Sequence, residues 1–433
     1  MAAIKIVYVG GGSTRAPGTV ASFVEVADDF AGSEIVLVDL DAERLEVVRR
    51  LSEKMIQARG CDLTVTATTD RRAALVDCDA VLSSFRPGGF EARVLDERIP
   101  LSHGVIGQET QGPGGFFMAL RAVKVLKEIC AEMEELCPAA RIFNYTNPVN
   151  IVAQAVTSFS PVPIVSLCEG PIIFSRRFAE ILGLDPERLE TTMIGLNHAC
   201  WSVRHTYDGQ DVMPLARQTW EQRRDDPNLA GGDRRMLWLA ATMDSIPAEY
   251  FQYYYFRDEV LADLRSRATT RAEDILSWTS GYWEHYIEQS EADDPHLDPS
   301  QSRGGIHELE LAIDVMDAIF NDKQEMHTVN VPNTGGVLAG FPEELVVEVP
   351  GLCGREGIET SAQPPLPRQI RGLVEMLGEY QILAAEAAWS GDRTQAIRAL
   401  ASNPLVLTLD LAERLYDELA AAHAAYLPLE LVA

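Results

Sequence analysis

The glycine run Gly10-Gly11-Gly12 constrains this chain more than any other feature. It closes the short apolar run Ile4 to Val9 and opens a helical pattern. Glycines let a backbone turn tightly and approach a pyrophosphate, and the helix that follows offers free amides and the positive end of its dipole. The segment Val7-Tyr8-Val9-Gly10-Gly11-Gly12-Ser13-Thr14 therefore points to a dinucleotide held by Gly10, Gly11, Gly12, Ser13 and Thr14. The run is not a complete G-x-G-x-x-G, because Arg15 stands where the third glycine belongs. By itself it fits a plain strand-to-helix turn as well. Asp39 adds the second half of the signal. It ends the apolar run Glu34 to Asp39, where a carboxylate can accept hydrogen bonds from adenosine ribose hydroxyls, which favours NAD over its 2'-phosphorylated form. The competing reading, a helix cap, suits Asp41 better.

Around that turn the first 170 residues alternate strand and helix patterns. Leu63 to Thr69, Asp79 to Ser84, Ala140 to Asn144 and Ile164 to Cys168 read as further strands, and Asp41 to Gly60 and Gly114 to Leu136 as helices. Alternation of this kind implies an α/β fold with a parallel, doubly wound Rossmann-type sheet, and continuous apolar runs suit strands buried on both faces. A length of 433 residues exceeds one ordinary core, so two closely joined domains are expected, residues 1–170 for NAD and 171–433 for substrate, metal and oligomerisation. After about Trp201 the pattern shifts to longer helices and aromatic clusters. Asp225 to Asp233 and Ser290 to Ser302 read as loops, Val329 to Val349 as returning strands, and the end from about Arg368 as Ala-rich helix.

Composition limits the partners. The net charge is −28, which disfavours nucleic acid and anionic membrane, and obliges any anionic substrate to be met by local arginines or amides. No apolar run reaches about 18 residues, and Met1 to Gly10 reads as a strand rather than a signal peptide. The seven cysteines show no paired short spacing, which fits reduced thiols and a cytoplasmic location.

Chemistry is expected at the carboxyl ends of the strands. Three such ends stand out: Arg86 to Gly89, Asn144-Tyr145-Thr146-Asn147-Pro148, and Cys168-Glu169-Gly170-Pro171. Any one of these can equally cap a helix or shape a turn. Cys168 and His198 lie 30 residues apart. A thiolate and an imidazole can bind a transition metal, but this spacing alone suits a buried cysteine and a hydrogen-bonded histidine better. The cluster Tyr250 to Tyr255 reads first as packing, since a tyrosine becomes a general base only beside a cation that lowers its pKa.

The ordered set of these motifs resembles glycoside hydrolase family 4, in its 6-phosphoglycosidase branch, along nearly the whole chain. It comprises the early Gly-Gly-Gly-Ser-Thr, Leu95 to Leu101, Gly107-Gln108-Glu109-Thr110 followed by Gly112 to Gly115, Asn144 to Pro148, Cys168, Gly195 to His198, Ile246 to Tyr255, and Thr270-Arg271-Ala272. The resemblance implies a Rossmann-type domain followed by an α+β domain of the lactate/malate dehydrogenase-like kind, assembled as a homodimer or homotetramer. It implies NAD and manganese (or another divalent metal) as cofactors. The bond would break by oxidation at carbon 3, elimination across carbons 1 and 2, water addition and re-reduction. By motif position, Tyr250 would remove the carbon-2 proton, Cys168 and His198 would hold the metal, Arg93 and Arg271 the 6-phosphate, and Asn147 a sugar hydroxyl. The substrate would be a small sugar, a phosphorylated disaccharide.

One position departs from the family pattern. Glu169 follows the metal-binding cysteine, where branches of the family carry Asp, Asn or His. A glutamate there could be the general acid for the leaving group, or it could read an unphosphorylated or acidic sugar, so anomer and phosphate stay open. Readings outside the family are a 2-hydroxyacid dehydrogenase, which wants a His–Asp relay, and an NAD sensor, which needs neither Cys168 nor His198 nor Tyr250.

Overall fold

In a computed structural model, which describes residues 2–302 and 310–432, the first half of the chain builds six parallel strands. These are β1 (Lys5–Val9), β2 (Ser33–Val38), β3 (Leu63–Thr68), β4 (Ala80–Ser83), β5 (Arg141–Asn144) and β6 (Ile164–Ser166). They lie in the order β3-β2-β1-β4-β5-β6, with every neighbouring pair parallel. This is the strand order of a doubly wound dinucleotide-binding fold, with its switch point at the end of β1. Burial explains the unbroken apolar runs. Ile6 and Tyr8 of β1 face one apolar layer, and Val7 and Val9 face the other.

Local chemistry sets the helix ends. Asp41 caps the helix Ala42–Arg59 by accepting from the amides of Glu43 and Arg44, and Gly60 closes it in the left-handed conformation. The long helix Gly112–Leu136 crosses from the Gly107–Thr110 motif to β5, and Gly89–Ser102 carries Arg93 and Glu97.

The sheet continues beyond β6 with antiparallel strands. These are β7 (Leu189–Leu196), β8 (Ala199–Tyr207), β9 (Gln210–Asp211), β10 (Glu325–Pro332), β11 (Val346–Gly354) and β12 (Gly357–Thr360). The path runs β6-β10-β11-β7-β8-β9, with β12 on β11. The return of strands after Val329 and the terminal helices Arg368–Ser390, Arg393–Ser402 and Leu409–Ala422 follow the sequence pattern. The hairpin β7–β8 does not. It was hidden because its second half is only partly buried, so apolar periodicity is weak there. The β-branched and apolar residues of Leu189 to Leu196, ending at the two-residue turn Asn197-His198, are the signal that could have shown it. Among the described residues no helix is long and apolar enough to cross a membrane.

Candidate active site

A cleft of about 500 Å³ opens at the carboxyl ends of β1, β2 and β4, floored by the glycine turn. Gly10 has φ +101°, and a Cβ there would lie 2.1 Å from the Ser84 carbonyl oxygen, so only glycine fits. A Cβ on Gly11 would meet the Leu37 side chain at 2.8 Å, which brings the turn close against β2. The Gly12 amide donates to Asp39 Oδ2 at 2.9 Å, and the Leu40 amide to Oδ1 at 2.7 Å. A carboxylate has about four acceptor positions, so Asp39 keeps capacity for hydroxyl donors. Ser13 and Thr14 line the cleft beside it. Trp283, which no motif of the chain marks, forms the opposite wall, with the Arg44 guanidinium 5.3 Å from its ring. Among the described residues, the buried Ser13 Oγ and Trp283 Nε1 find no hydrogen-bond partner. A glycine floor, a clamped carboxylate, a flat aromatic wall and stranded polar atoms together fit a dinucleotide.

Cys168 and His198, far apart in sequence, meet. Cys168 Sγ lies 3.6 Å from His198 Nε2. Metal–sulfur and metal–nitrogen bonds are about 2.0–2.3 Å long, so one cation can touch both atoms. The β7–β8 turn makes this possible by holding His198 at φ +64°, an uncommon conformation for a non-glycine residue. His198 Nδ1 lies 3.1 Å from Thr110 Oγ1, which in turn donates to Gln108 Oε1 at 2.9 Å. With the Thr110 proton committed to Gln108, Nδ1–H donates to Thr110 and leaves the Nε2 lone pair facing Cys168. Burial pulls the His198 pKa down to about 4, opposed by Glu109, so the ring stays neutral and able to ligate. Burial pushes the Cys168 thiol up to about 12, with Glu348 acting the same way. A bound divalent cation reverses such a shift, since a coordinated thiol loses its proton.

The other candidate residues distribute around this pair. The Tyr250 ring stacks on the His198 ring at 3.8 Å and 10°. Burial, then the nearby Cys168 and Glu109, push its hydroxyl well above the ordinary value. Glu169 precedes the helix Gly170–Leu182, and its Oε1 accepts from the Tyr145 hydroxyl at 2.8 Å and the Leu311 amide at 3.2 Å. Asn147 lines the dinucleotide cleft, and its buried Oδ1 finds no partner among the described residues. Arg93 is buried, with its guanidinium 2.7 Å from Glu97 and 2.8 Å from Glu109. Glu97 also accepts from the Ala272 amide at 3.0 Å, which joins Arg93 to the segment carrying Arg271. Arg271 itself is exposed, 5.0 Å from the Trp278 ring.

Sequence reasoning did not single out Glu109 or Thr110. Glu109 takes both Arg86, at 2.5 Å, and Arg93, and so ties the end of β4 to the arginine helix. Both residues belong to the Gly107–Thr110 motif, but only the folded chain shows what they touch.

The sheet order and the glycine-floored cleft define a dinucleotide-binding protein, and the Cys–His pair beside the cleft gives it a candidate metal centre. The family model "Family 4 glycosyl hydrolase" matches residues 5–184, and "Family 4 glycosyl hydrolase C-terminal domain" matches residues 193–406. The chain belongs to family 4 of the glycosyl hydrolases. It is 36% identical to the "Probable 6-phospho-beta-glucosidase" of Bacillus subtilis (strain 168), over 98% of this chain and 97% of that one. A crystal structure of a 6-phospho-alpha-glucosidase from gut microorganisms, in complex with NAD and glucose-6-phosphate, superposes with a TM-score of 0.86. It is 27% identical, and 99% of each chain is covered. The 6-phospho-beta glucosidase of Thermotoga maritima, solved with manganese, NAD+ and glucose-6-phosphate, has a TM-score of 0.84 at 25% identity, covering 98% of this chain and 99% of that one. Membership of a glycosidase family removes the ground for the hydroxyacid-dehydrogenase reading.

Proposed function

We propose that this enzyme hydrolyses 6-phosphorylated glycosides with NAD and manganese, in the cytoplasm and as a homodimer or homotetramer. The observation that carries the reading is the meeting of Cys168, His198 and Tyr250 beside a cleft shaped for a dinucleotide. Similarity to 6-phosphoglucosidases of both anomeric types supports the substrate class and leaves the anomer open.

Gly10, Gly11, Gly12, Ser13 and Thr14 would hold the pyrophosphate, and Asp39 the ribose. Cys168 and His198 would hold the metal. When bound, NAD supplies a reversible two-electron oxidant and the metal a Lewis acid. The protein's own residues do the rest. Tyr250 accepts the carbon-2 proton, and a cation held by Cys168 and His198 would offset the burial that otherwise keeps the phenol protonated. Glu169, oriented by Tyr145, carries a proton for the leaving group. Asn147 takes a sugar hydroxyl. Arg93 and Arg271 take the phosphate, for which forked guanidinium donors are suited. Residues 1–170 would form the NAD-binding domain and carry Arg93, Asn147, Cys168 and Glu169 as well, and residues 171–433 would form the second domain and supply His198, Tyr250 and Arg271.

A panel of α- and β-linked nitrophenyl glycosides, with and without the 6-phosphate, tests the assignment in the presence of NAD and manganese. Phosphorylated substrates should be strongly preferred. Arg93→Ala or Arg271→Ala should cost roughly ten- to a hundred-fold in kcat/KM on them, and far less on unphosphorylated ones. Equal losses on both would remove the phosphate role.

A further inference from the structure

Beneath the site a row of buried polar side chains crosses the sheet. Ser83 of β4 donates to Asn144 Oδ1 at 2.7 Å, and Asn144 Nδ2 donates to Ser166 Oγ of β6 at 3.0 Å. Asn330 Nδ2 of β10 reaches the Ser166 carbonyl at 3.1 Å and Glu348 Oε1 of β11 at 3.3 Å. Asn197 Nδ2, in the β7–β8 turn, donates to the same Glu348 oxygen at 2.9 Å. Asn330, Glu348 and Asn197 are nearly fully buried, at 2%, 0% and 3% exposure, where polar groups persist only if paired.

The place of this row matters more than its length. The parallel half of the sheet meets β10 through the pairing of Asn330 with Ser166, and β11 meets β7 through the pairing of Glu348 with Gly195. Both junctions therefore run through residues of the row. Cys168 lies two residues past Ser166, and His198 three past Gly195. The two candidate metal ligands thus belong to different strands, and the side chains spanning the gap between those strands are Asn330 and Glu348. Glu348 Oε1 is the shared acceptor that fastens the His198 turn, through Asn197, to the strand end that leads to Cys168.

We propose that Glu348 is a positioning residue for the metal centre, whose Oε1, by accepting from Asn197 and Asn330 together, sets the separation of Cys168 and His198. The proposal rests on the reading of those two residues as metal ligands. It has a clear energetic basis. Outer partners that orient metal ligands typically change metal affinity about 10- to 100-fold when removed. A Cys–His pair from two weakly joined strands is the kind of site in which small shifts of one ligand are felt.

Cobalt(II) and manganese(II) titrations of the full-length protein test this, with the sulfur-to-cobalt charge-transfer band as the signature and NAD affinity as the control. Wild-type protein should show the band and Cys168→Ser should lose it. If wild type lacks the band, or Cys168→Ser keeps it, the ligand assignment itself fails. Given that control, Glu348→Ala should bind both metals about 10- to 100-fold more weakly, with NAD affinity within about two-fold of wild type. Glu348→Gln keeps a carbonyl acceptor at Oε1 and should recover metal affinity to within a few-fold. Asn330→Ala, a smaller excision, should show a loss in the same direction and serves if Glu348→Ala does not fold. Wild-type metal affinity in the alanine variants, equal weakness of Glu348→Gln and Glu348→Ala, or a parallel loss of NAD binding would each overturn the proposal.

Discussion

His198 concentrates the chemistry of this molecule into one residue: a left-handed backbone, a ring stacked on Tyr250, one nitrogen directed at Thr110 and the other at Cys168. Its depressed pKa has a consequence for stability. The unfolded histidine takes up a proton near its ordinary value of 6.5, whereas the folded one stays neutral down to about 4. Below 6.5 the unfolded state therefore binds more protons, and the folded state loses stability as pH falls toward 4. Above 6.5 the contribution is constant. In chelator-treated protein, wild type should lose up to about 3 kcal/mol more than His198→Gln between pH 6.5 and pH 4, measured by urea denaturation. Parallel pH profiles for the two proteins would show that the ring is not held neutral. Residue types and order along the chain made Cys168, His198 and Tyr250 readable as candidates. Their surroundings were not readable, because Thr110 and Glu109 act on His198 across 88 and 89 positions of sequence, Glu348 holds the neighbouring Asn197 across 151, and only folding joins them.

At the scale of elements, the β1 turn and the β7–β8 hairpin carry the site, and they differ in how openly the sequence displays them. The parallel strands were legible because burial on both faces demands continuous apolar runs, and Asp41 and Gly60 punctuate the helix that follows β2. The hairpin was not, since its strands are buried unevenly and its turn uses His198 rather than glycine. The glycine turn gives the sharper test. Gly10→Ala places a methyl carbon 2.1 Å from the Ser84 carbonyl oxygen at a backbone conformation that disfavours side chains. The strain alone should cost about 1–3 kcal/mol of stability, and relieving it means pulling β1 from β4 where the pyrophosphate would lie. NAD affinity, followed by tryptophan fluorescence, should fall by at least about ten-fold, in proportion to that displacement. An alanine variant that binds NAD as tightly as wild type would show that this turn is not the cofactor floor.

For the molecule as a whole, the described residues form one twelve-stranded sheet that joins a dinucleotide-binding half to a half that carries His198 and Tyr250, and Tyr145, which lines the cofactor cleft, bonds Glu169 beside Cys168. In a chain of net charge −28, Arg93 and Arg271, the proposed phosphate contacts, lie near a carboxylate and an aromatic ring respectively. The doubly wound order was legible in the alternation of strands and helices. The continuation of the same sheet into the second half was not, because antiparallel pairing across more than a hundred residues leaves no local periodic mark. Under the proposed function the glycosidic bond breaks by oxidation and elimination rather than by direct displacement. This route is tested most directly by hydrolysing a 6-phosphoglucoside in deuterated water and locating deuterium in the released glucose-6-phosphate by NMR. Removal and return of the carbon-2 proton predicts deuterium at carbon 2, dependent on added NAD, with no net NADH. In Tyr250→Phe, turnover and incorporation should fall together by about a hundred-fold or more. Product released at the wild-type rate with only hydrogen at carbon 2, from enzyme stripped of NAD, would mean that the bond breaks by direct displacement.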